Sequence, residues 1–313
     1  MTQYAIVVDD VVKKYRGRSG LPVTALDRVS FAVKEGEIFG LLGKNGAGKT
    51  TLLRIMTTLI RPSSGSVAIC GYDTVRSPID VRRSISIVLQ EQAAELYLSV
   101  ADNLSTYARF QSLPRSAARE TMDAVMAQFG LTEHRDRKVI DLSGGLRRRV
   151  QVAKVFMVEK PVVFLDEATT GMDPINKRAT LDAIRKRATK GQTIVLTTHV
   201  LQEAEELCDT IVLLDRGTCV ARGDLQTIKR LVSQSYDVTV TFESLNQAIL
   251  DQLRALPLVK LSWSSNTVEM SFRENDFSIL ESLGRLSASS RILHLEVAGA
   301  SLEDVFLELL GRT

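Results

Sequence analysis

The chain has 313 residues, which corresponds to about two domains of ordinary size. Hydrophobic residues make up 44% and charged residues 25% of the chain, which excludes a disordered chain and a small disulfide-stapled protein. The formal net charge is +3 and aromatic residues make up 5%, so neither value favours a nucleic-acid or acidic-lipid surface.

The apolar runs of the chain are short. Runs such as residues 162–165 and 211–214 fall far below the ~20 residues of a membrane-spanning helix, so we expect buried strands there. The N-terminal sequence has no basic segment followed by an apolar one, and we expect no secretory signal. Cys70, Cys208 and Cys219 are widely spaced and odd in number, which favours buried free thiols in a reducing cytosol.

The first two thirds of the chain alternate between strand-like and helix-like segments. An apolar strand at residues 38–42 leads into a glycine-rich loop, and Asp173-Pro174 marks the start of a later helix. Strands that alternate with helices indicate an α/β fold with a mostly parallel sheet. The predicted strands are residues 5–8, 29–33, 38–42, 162–165 and 194–196, and the predicted helices include residues 50–58 and 175–189.

The pattern changes near residue 224. Residues 225–235 are predicted to form a linker helix, and the elements after it follow the order β-α-β-β-α-β of a small ferredoxin-like α+β domain. Ser301 as N-cap, with Glu303 and Asp304 in the first turn, predicts a closing helix. The predicted strands of this region are residues 237–242, 259–263, 268–272 and 292–297, and its other helices are residues 246–256 and 277–286.

Residues 43–50, with the sequence GKNGAGKT, fit the phosphate-binding pattern G-x-x-x-x-G-K-[ST] between a predicted strand and a predicted helix. Glycines let backbone N–H groups turn toward phosphate oxygens, and the helix N-terminus adds partial positive charge. We expect Lys49 to reach the β- and γ-phosphates and the Thr50 hydroxyl to bind Mg²⁺. The alternative is a chance glycine turn, which the strand-loop-helix context disfavours. The predicted ATP-binding residues of this loop are Gly43, Asn45, Gly46, Gly48, Lys49, Thr50 and Thr51.

A pair of carboxylates, Asp166 and Glu167, follows the apolar strand at residues 162–165. Ligands of open α/β sheets bind at the carboxyl ends of the strands, where this pair is expected. Asp166 suits a Mg²⁺ shell, and Glu167 suits a general base for the attacking water. Acidic residues often follow strands on a protein surface, so the pair gains weight only from its combination with Lys49 and Thr50.

Between these two halves, Leu142-Ser143-Gly144-Gly145 resembles the signature sequence of ABC-type ATPases. This resemblance identifies residues 4–224 as an ABC-type domain of the P-loop NTPase fold, with a helical subdomain over about residues 91–160 and a C-terminal α+β domain over residues 236–313. Further residues match the family in order along the chain. They are Tyr15 (adenine stacking), Gln90 (Q-loop), Asp173 in Gly171-Met172-Asp173 (D-loop) and His199 (switch histidine).

The resemblance implies that two nucleotide domains face head to tail, with each ATP between the phosphate loop of one and the signature sequence of the other. A chain with one such set would pair with a second copy. The family assigns hydrolysis to Glu167, His199 and Lys49, Mg²⁺ binding to Thr50, Gln90 and Asp166, and ATP contacts to Tyr15, Ser143, Gly144, Gly145 and Asp173 beside the loop residues.

One position departs from many relatives, because Leu146 replaces the usual glutamine after the signature glycines. Leu146 followed by Arg147, Arg148 and Arg149 resembles the daunorubicin-resistance type of exporter ATPases, although a solvated helix face would explain the arginines equally well. Residues 301–307 resemble the closing helix of that group. The apolar face of this helix could pack on its own small domain or on the second protomer.

The leading hypothesis is the ATP-hydrolysing subunit of an exporter of drugs or other hydrophobic compounds, at the cytoplasmic face of the membrane. A transmembrane permease on a separate chain would dock on residues 91–103, including Leu96 and Tyr97. The alternatives are an exporter of lipids, ions or other compounds, an importer ATPase, and a soluble ABC ATPase that acts on DNA or ribosomes. No basic arm or heptad run favours a nucleic-acid partner, and Glu167 disfavours a module that only binds ATP.

Overall fold

The computed structural model describes residues 3–16, 21–89, 94–231, 235–273, 278–287, 290–299 and 301–311. The chain divides into two compact units, Met1–Leu225 and Gln226–Thr313. Across the described ranges, no helix is both long enough and apolar enough to cross a membrane.

The first unit combines strands and helices in alternation after an N-terminal pair of long strands. Its elements, in chain order, are β1 (Tyr4–Arg16), β2 (Pro22–Lys34), β3 (Ile38–Leu42), α1 (Lys49–Met56), β4 (Ser64–Ile69), β5 (Tyr72–Asp73), α2 (Pro78–Ser84), β6 (Ile85–Val88), α3 (Val100–Phe110), α4 (Arg115–Gln128), α5 (Gly144–Val155), β7 (Val162–Asp166), α6 (Pro174–Ala188), β8 (Thr193–Thr198), α7 (Leu201–Leu207), β9 (Thr210–Asp215) and β10 (Thr218–Gly223).

The central sheet of this unit has the order β10-β9-β3-β8-β7-β6, in which all neighbours are parallel except β10 and β9. Strands β3, β7 and β8 are buried along their whole length, as parallel strands covered on both faces must be. Leu42 pairs with Thr198, and Asp166 pairs with Thr197, so these three strands end together. The predicted α/β fold is confirmed, and this register brings the segments after the three strands to one edge.

The remaining strands form an antiparallel sheet with the order β2-β1-β4-β5. The short strands predicted at residues 5–8 and 29–33 lie within the longer β1 and β2, which pair with each other. Side chains from this sheet, from α1 and from the central sheet share one apolar core. Helix α1 contributes Leu52, Leu53 and Ile55 to it, all fully buried, and this packing fixes the end of the phosphate loop.

The second unit is a sheet with helices, in the predicted order β-α-β-β-α-β. All paired strands are antiparallel, with the sheet order β12-β13-β11-β14, which is that of a ferredoxin-like fold. Its apolar core includes Val240 and Phe242 of the sheet and Leu253 of a helix. Its elements are α8 (Leu225–Lys229), β11 (Ser235–Phe242), α9 (Gln247–Arg254), β12 (Lys260–Ser264), β13 (Thr267–Arg273), α10 (Ser278–Leu286), β14 (Ile292–Gly299) and α11 (Leu302–Gly311).

The cysteines are free, but only Cys208 is buried, whereas Cys70 and Cys219 are half-buried. The expectation of buried thiols is therefore wrong for two of the three. Burial raises the pKa of the Cys208 thiol far above its ordinary value. A Cβ placed on Gly40 would lie 2.8 Å from the Cys208 sulfur. Cys208 therefore packs directly against β3.

Candidate functional site

The loop between β3 and α1 is shaped by glycine at its last position. Gly48 has φ +107°, in the left-handed region, and a Cβ there would lie 2.8 Å from the carbonyl oxygen of Ala25. Only glycine fits both the conformation and this close approach. Helix α1 begins directly afterwards at Lys49, so the loop ends at a helix N-terminus, which is a ready site for an anion.

Lys49 is buried and holds the loop through its own backbone. Its Nζ donates to the carbonyl oxygen of Gly43 at 2.6 Å and to that of Lys44 at 3.1 Å. Burial lowers the pKa of Lys49, and the charges of Glu167 and Asp166 partly oppose this effect. The ammonium group therefore lies between the loop carbonyls and the carboxylates, where it can neutralise a phosphate.

Asp166 and Glu167 lie at the end of β7, as predicted. Asp166 is buried and its carboxylate accepts a hydrogen bond from the Thr197 hydroxyl on β8. The Glu167 N–H donates to the Thr197 carbonyl oxygen at 3.0 Å. Glu167 has φ +50°, which is costly for a residue with a side chain, by ~1 kcal/mol or more. This conformation turns the chain sharply at the residue expected to act as base.

The Glu167 carboxylate contacts the residue predicted as the switch histidine. Nδ1 of His199 lies 3.0 Å from Oε1 of Glu167, and the Thr170 hydroxyl donates to Oε2 at 3.3 Å. The Glu167 side chain is 11% exposed and that of His199 is 52% exposed. The pair is therefore open to a substrate on the histidine side, while the carboxylate is held in place.

The loop and the acidic pair line one cavity of about 190 Å³. Of the predicted site residues, this cavity brings together the loop residues 45–51 and both carboxylates, whereas Gly43 and His199 do not line it. Gln90 lies outside the described residues. The lining residues are Ala25, Asn45, Gly46, Ala47, Gly48, Lys49, Thr50, Thr51, Asp166 and Glu167.

Arg148 supports the carboxylate end of the site, a role that the sequence pattern does not reveal. Its guanidinium donates to the carbonyl oxygens of Asp166, of Glu167 at 3.1 Å and of Leu89 at 2.9 Å. Arg148 and Arg149 are both buried, so a solvated helix face is the wrong interpretation for these two residues. The basic run itself was the available signal, but it does not show which arginine turns inward.

The predicted signature residues lie at the N-terminus of α5, away from the loop cavity. The Ser143 hydroxyl caps this helix by accepting from the Leu146 N–H at 3.3 Å. A Cβ on Gly145 would lie 3.2 Å from Cα of Met172, so the helix start packs closely on the segment before α6. Asp173 caps α6 through the Asn176 N–H at 3.0 Å, and this bond lowers the pKa of Asp173.

Within the part of the chain that the structure describes, Ser143, Gly144, Gly145 and Asp173 do not line the loop cavity. Gly144 instead lines a neighbouring cavity of about 240 Å³ with Arg148, Glu167 and Gly171. Tyr15 is 39% exposed on β1, with Nζ of Lys13 5.2 Å from the centre of its ring. The structure thus joins the loop to the carboxylates and leaves the signature residues and Tyr15 outside that cavity.

Comparison with known proteins gives concordant matches. A family described as "ABC transporter" matches residues 26–170. The doxorubicin resistance ATP-binding protein DrrA of Mycobacterium tuberculosis is 36% identical over 97% of this chain and 93% of its own length. The Nod factor export ATP-binding protein I of Paraburkholderia xenovorans is 32% identical over 100% and 99%. A dimeric ATP-binding cassette in a post-hydrolysis state with ADP and Pi matches with TM-score 0.64 and 25% identity, over 70% of this chain and 98% of that one.

Proposed function

The chain belongs to the ABC transporter family, and from this premise we propose that two copies close head to tail on two ATP and drive export through a separate membrane subunit. The resemblance predicted from residues 142–145 is confirmed, and so is the ATPase class. The observation that carries the proposal is the cavity in which the loop residues Asn45–Thr51 meet Asp166 and Glu167.

The position of the signature residues supports pairing between two copies. Ser143, Gly144 and Gly145 lie at a helix N-terminus, where backbone N–H groups and a hydroxyl can bind phosphate. Since these residues do not line the cavity of their own loop, they would serve the loop of a second copy. The solved cassette that resembles this chain is a dimer with ADP and Pi. Tyr15 would stack on adenine, and Asp173 would contact the nucleotide across the interface.

Hydrolysis follows from the groups at the ends of β7 and β8. Lys49 and the loop N–H groups bind the phosphates of ATP and hold the γ-phosphate in place. The Glu167 carboxylate accepts a proton from water as the water oxygen attacks the γ-phosphorus, the bond from that phosphorus to the bridging oxygen breaks, and ADP leaves. In its imidazolium form, His199 would donate through Nδ1 to Glu167 and through Nε2 to a γ-phosphate oxygen. Loss of the γ-phosphate contacts then opens the dimer.

The oxygen donors of the site fit a magnesium ion. Carboxylate and hydroxyl oxygens are the ligands that Mg²⁺ accepts, and Thr50 and Asp166 provide both at the same cavity. We assign Thr50 and Asp166 as its protein ligands on this cavity, and Gln90, which lies outside the described residues, from the resemblance to the family. When bound, Mg²⁺ would neutralise charge on the phosphates.

A membrane subunit would dock on residues 91–103, of which the structure describes 94–103. Tyr97 is 76% exposed there, and the loop around it is held by Asn103, whose side chain exchanges hydrogen bonds with backbone groups of Glu95 at 2.8 and 2.9 Å. An exposed aromatic residue on a rigid loop suits protein docking. Y97D should abolish transport and leave basal ATP hydrolysis unchanged, and normal transport by this variant would refute the docking assignment.

We assign residues 4–224 to the nucleotide-binding domain, with a helical subdomain at about 91–160, residues 225–235 to a linker and residues 236–313 to the C-terminal domain. The helix predicted over the whole linker is shorter in the structure, since α8 ends at Lys229 and β11 begins at Ser235. The protein would act at the cytoplasmic face of the membrane. Drugs or other hydrophobic compounds are the proposed cargo, since relatives are named for doxorubicin resistance. A relative named for Nod factor export supports export of other compounds as the second candidate.

The test uses tagged full-length chain with the substitution E167Q, incubated with ATP to hold the closed dimer, and detergent-solubilised membranes of the native cell. Mass spectrometry of the captured material should identify a polytopic membrane protein. The matched control is the same variant without ATP. Capture of soluble proteins or ribosomes alone would refute the transport proposal, and unimpaired ATP turnover by E167Q would refute the role of Glu167.

A further inference from the structure

A buried carboxylate behind the catalytic pair belongs to none of the motifs described above. Glu203, on α7, is 3% exposed. Three donors surround it. Oε1 accepts from the Thr169 hydroxyl at 2.5 Å and lies 2.9 Å from Nζ of Lys177, and Oε2 accepts from the Thr198 hydroxyl at 3.0 Å. A buried charge that is paired and fully hydrogen-bonded holds its neighbours in a defined geometry.

These donors come from three segments that carry predicted functional residues. Thr198 precedes His199, and Thr169 lies two residues after Glu167. Lys177 lies one turn into α6, whose N-cap is Asp173. Glu203 is therefore the common acceptor for the histidine turn, the loop after the base and the helix that Asp173 caps.

The contacts around Thr198 show how this carboxylate can orient His199. The Thr198 hydroxyl donates to Glu203 and also accepts from the Val200 N–H at 3.0 Å, which closes the backbone turn that carries His199. The Glu203 N–H donates to the Val200 carbonyl oxygen at 3.2 Å, so α7 is bound to the same turn. Rotation of the Thr198 side chain away from Glu203 would break its hydrogen bond to Glu203 and weaken the one from the Val200 N–H.

Thr169 has the same function on the base side. Its hydroxyl donates to Glu203, and its carbonyl oxygen accepts from the Met172 N–H at 3.1 Å. The Thr170 N–H donates to the Glu167 carbonyl oxygen at 3.2 Å, so the loop that starts at Glu167 is tied to Glu203 through Thr169. The 3.0 Å contact of Glu167 with His199 thus joins two segments that are both hydrogen-bonded to Glu203, through Thr169 and Thr198.

We propose that Glu203 is a positioning residue for ATP hydrolysis, which holds Glu167 and His199 in register and couples them to the Asp173 segment through Lys177. This inference rests on the proposed function, since it concerns the same hydrolysis. Among the described residues, Glu203 does not line the loop cavity, and Lys49 is held by the carbonyl oxygens of Gly43 and Lys44. The inference therefore predicts a change in kcat with little change in ATP binding.

The test measures kcat, KM and the ATP dissociation constant of the full-length chain and its variants. T198V keeps the shape of the side chain and removes the hydroxyl that links Glu203 to the histidine turn. We expect its kcat to fall at least about tenfold, with KM and the dissociation constant within about twofold, because small misplacement of reacting groups lowers rates strongly. E203A should lower kcat further than T198V, again with KM and the dissociation constant little changed. E203Q can still bond both threonines, so its kcat should stay close to that of the unaltered chain.

The matched control is T193V, on the same strand β8. Thr193 is buried and its hydroxyl accepts from the Gly36 N–H at 3.0 Å, away from the catalytic pair. T193V should keep kcat within about twofold of the unaltered chain. The inference is overturned if T198V retains full kcat, if KM rises as much as kcat falls, or if T193V matches T198V. Absence of ATP turnover in the unaltered chain would instead overturn the proposed function, so the two failures are distinct.

Discussion

At the phosphate loop the hydrogen bonds of the key side chain, Lys49, are local, whereas the side chains at the ends of β7 and β8 are bonded to distant parts of the chain. Lys49 bonds carbonyl oxygens five and six residues before it. Arg148, in contrast, donates to carbonyl oxygens 18, 19 and 59 residues away. The Thr169 hydroxyl reaches Glu203 over 34 residues.

This difference suggests that the two ends of the site have different roles, ATP binding at the loop and hydrolysis at the ends of β7 and β8. The lysine of the loop is held by carbonyl oxygens of the loop itself, which places its ammonium group for phosphate binding. The acidic end holds a residue in a left-handed conformation, Glu167, and a buried cation is bonded to its carbonyl oxygen. Strained residues at functional sites persist when surrounding contacts over-determine them. Substitutions at the two ends should therefore have separable effects, the first on affinity and the second on turnover.

The largest effect is expected at the loop. K49A removes charged hydrogen-bond donors to phosphate, which are worth ~1.5–3 kcal/mol each, and should weaken ATP binding by about 100-fold or more. Isothermal titration calorimetry would measure the affinity. The matched control is K44M, in the same loop, because Lys44 is exposed and does not line the cavity. Comparable losses in both variants would show that general positive charge, and not the placement of Lys49, binds the phosphates.

The same contrast explains which features the sequence predicted. The order of glycines and lysine in residues 43–50 predicts the loop because that conformation is specified by adjacent residues. The alternation of apolar segments predicts the parallel sheet for the same reason. Three adjacent arginines after Leu146 do not reveal that Arg148 faces β7, since this depends on tertiary packing. Glu203 follows His199 by four residues, but only the fold brings Thr169 and Lys177 to it.

A smaller effect is expected for R148M at the catalytic end. The loss of hydrogen bonds to buried carbonyl oxygens should lower the free energy of unfolding by ~2 kcal/mol. The displaced Glu167 should lower kcat by about tenfold, with ATP affinity little changed. Denaturant unfolding and steady-state phosphate release would measure these quantities.

R187M is the control for R148M. Arg187 is also buried in the first unit, and it donates to the Phe156 carbonyl oxygen at 3.3 Å and to Oε1 of Gln128 at 3.1 Å, both outside the catalytic strands. The R187M variant should show a similar decrease in the free energy of unfolding, while its kcat per folded molecule should stay unchanged. If kcat of R187M also falls tenfold, the stability of the first unit limits turnover, and the contacts of Arg148 do not.

The smallest effect is expected for substitutions at the N-caps of two helices. Comparing the two variants distinguishes a loss of folding stability from a loss of dimerisation. Ser143 caps α5 and Ser99 caps α3, where it accepts from the Asp102 N–H at 3.0 Å. S143A and S99A should each lower the free energy of unfolding by ~1 kcal/mol. Only S143A should also weaken ATP-driven dimerisation of E167Q chains, by about fivefold, because the lost hydroxyl would bind the partner's γ-phosphate. Analytical ultracentrifugation with ATP would measure it, and equal dimerisation of both variants would assign Ser143 a purely structural role.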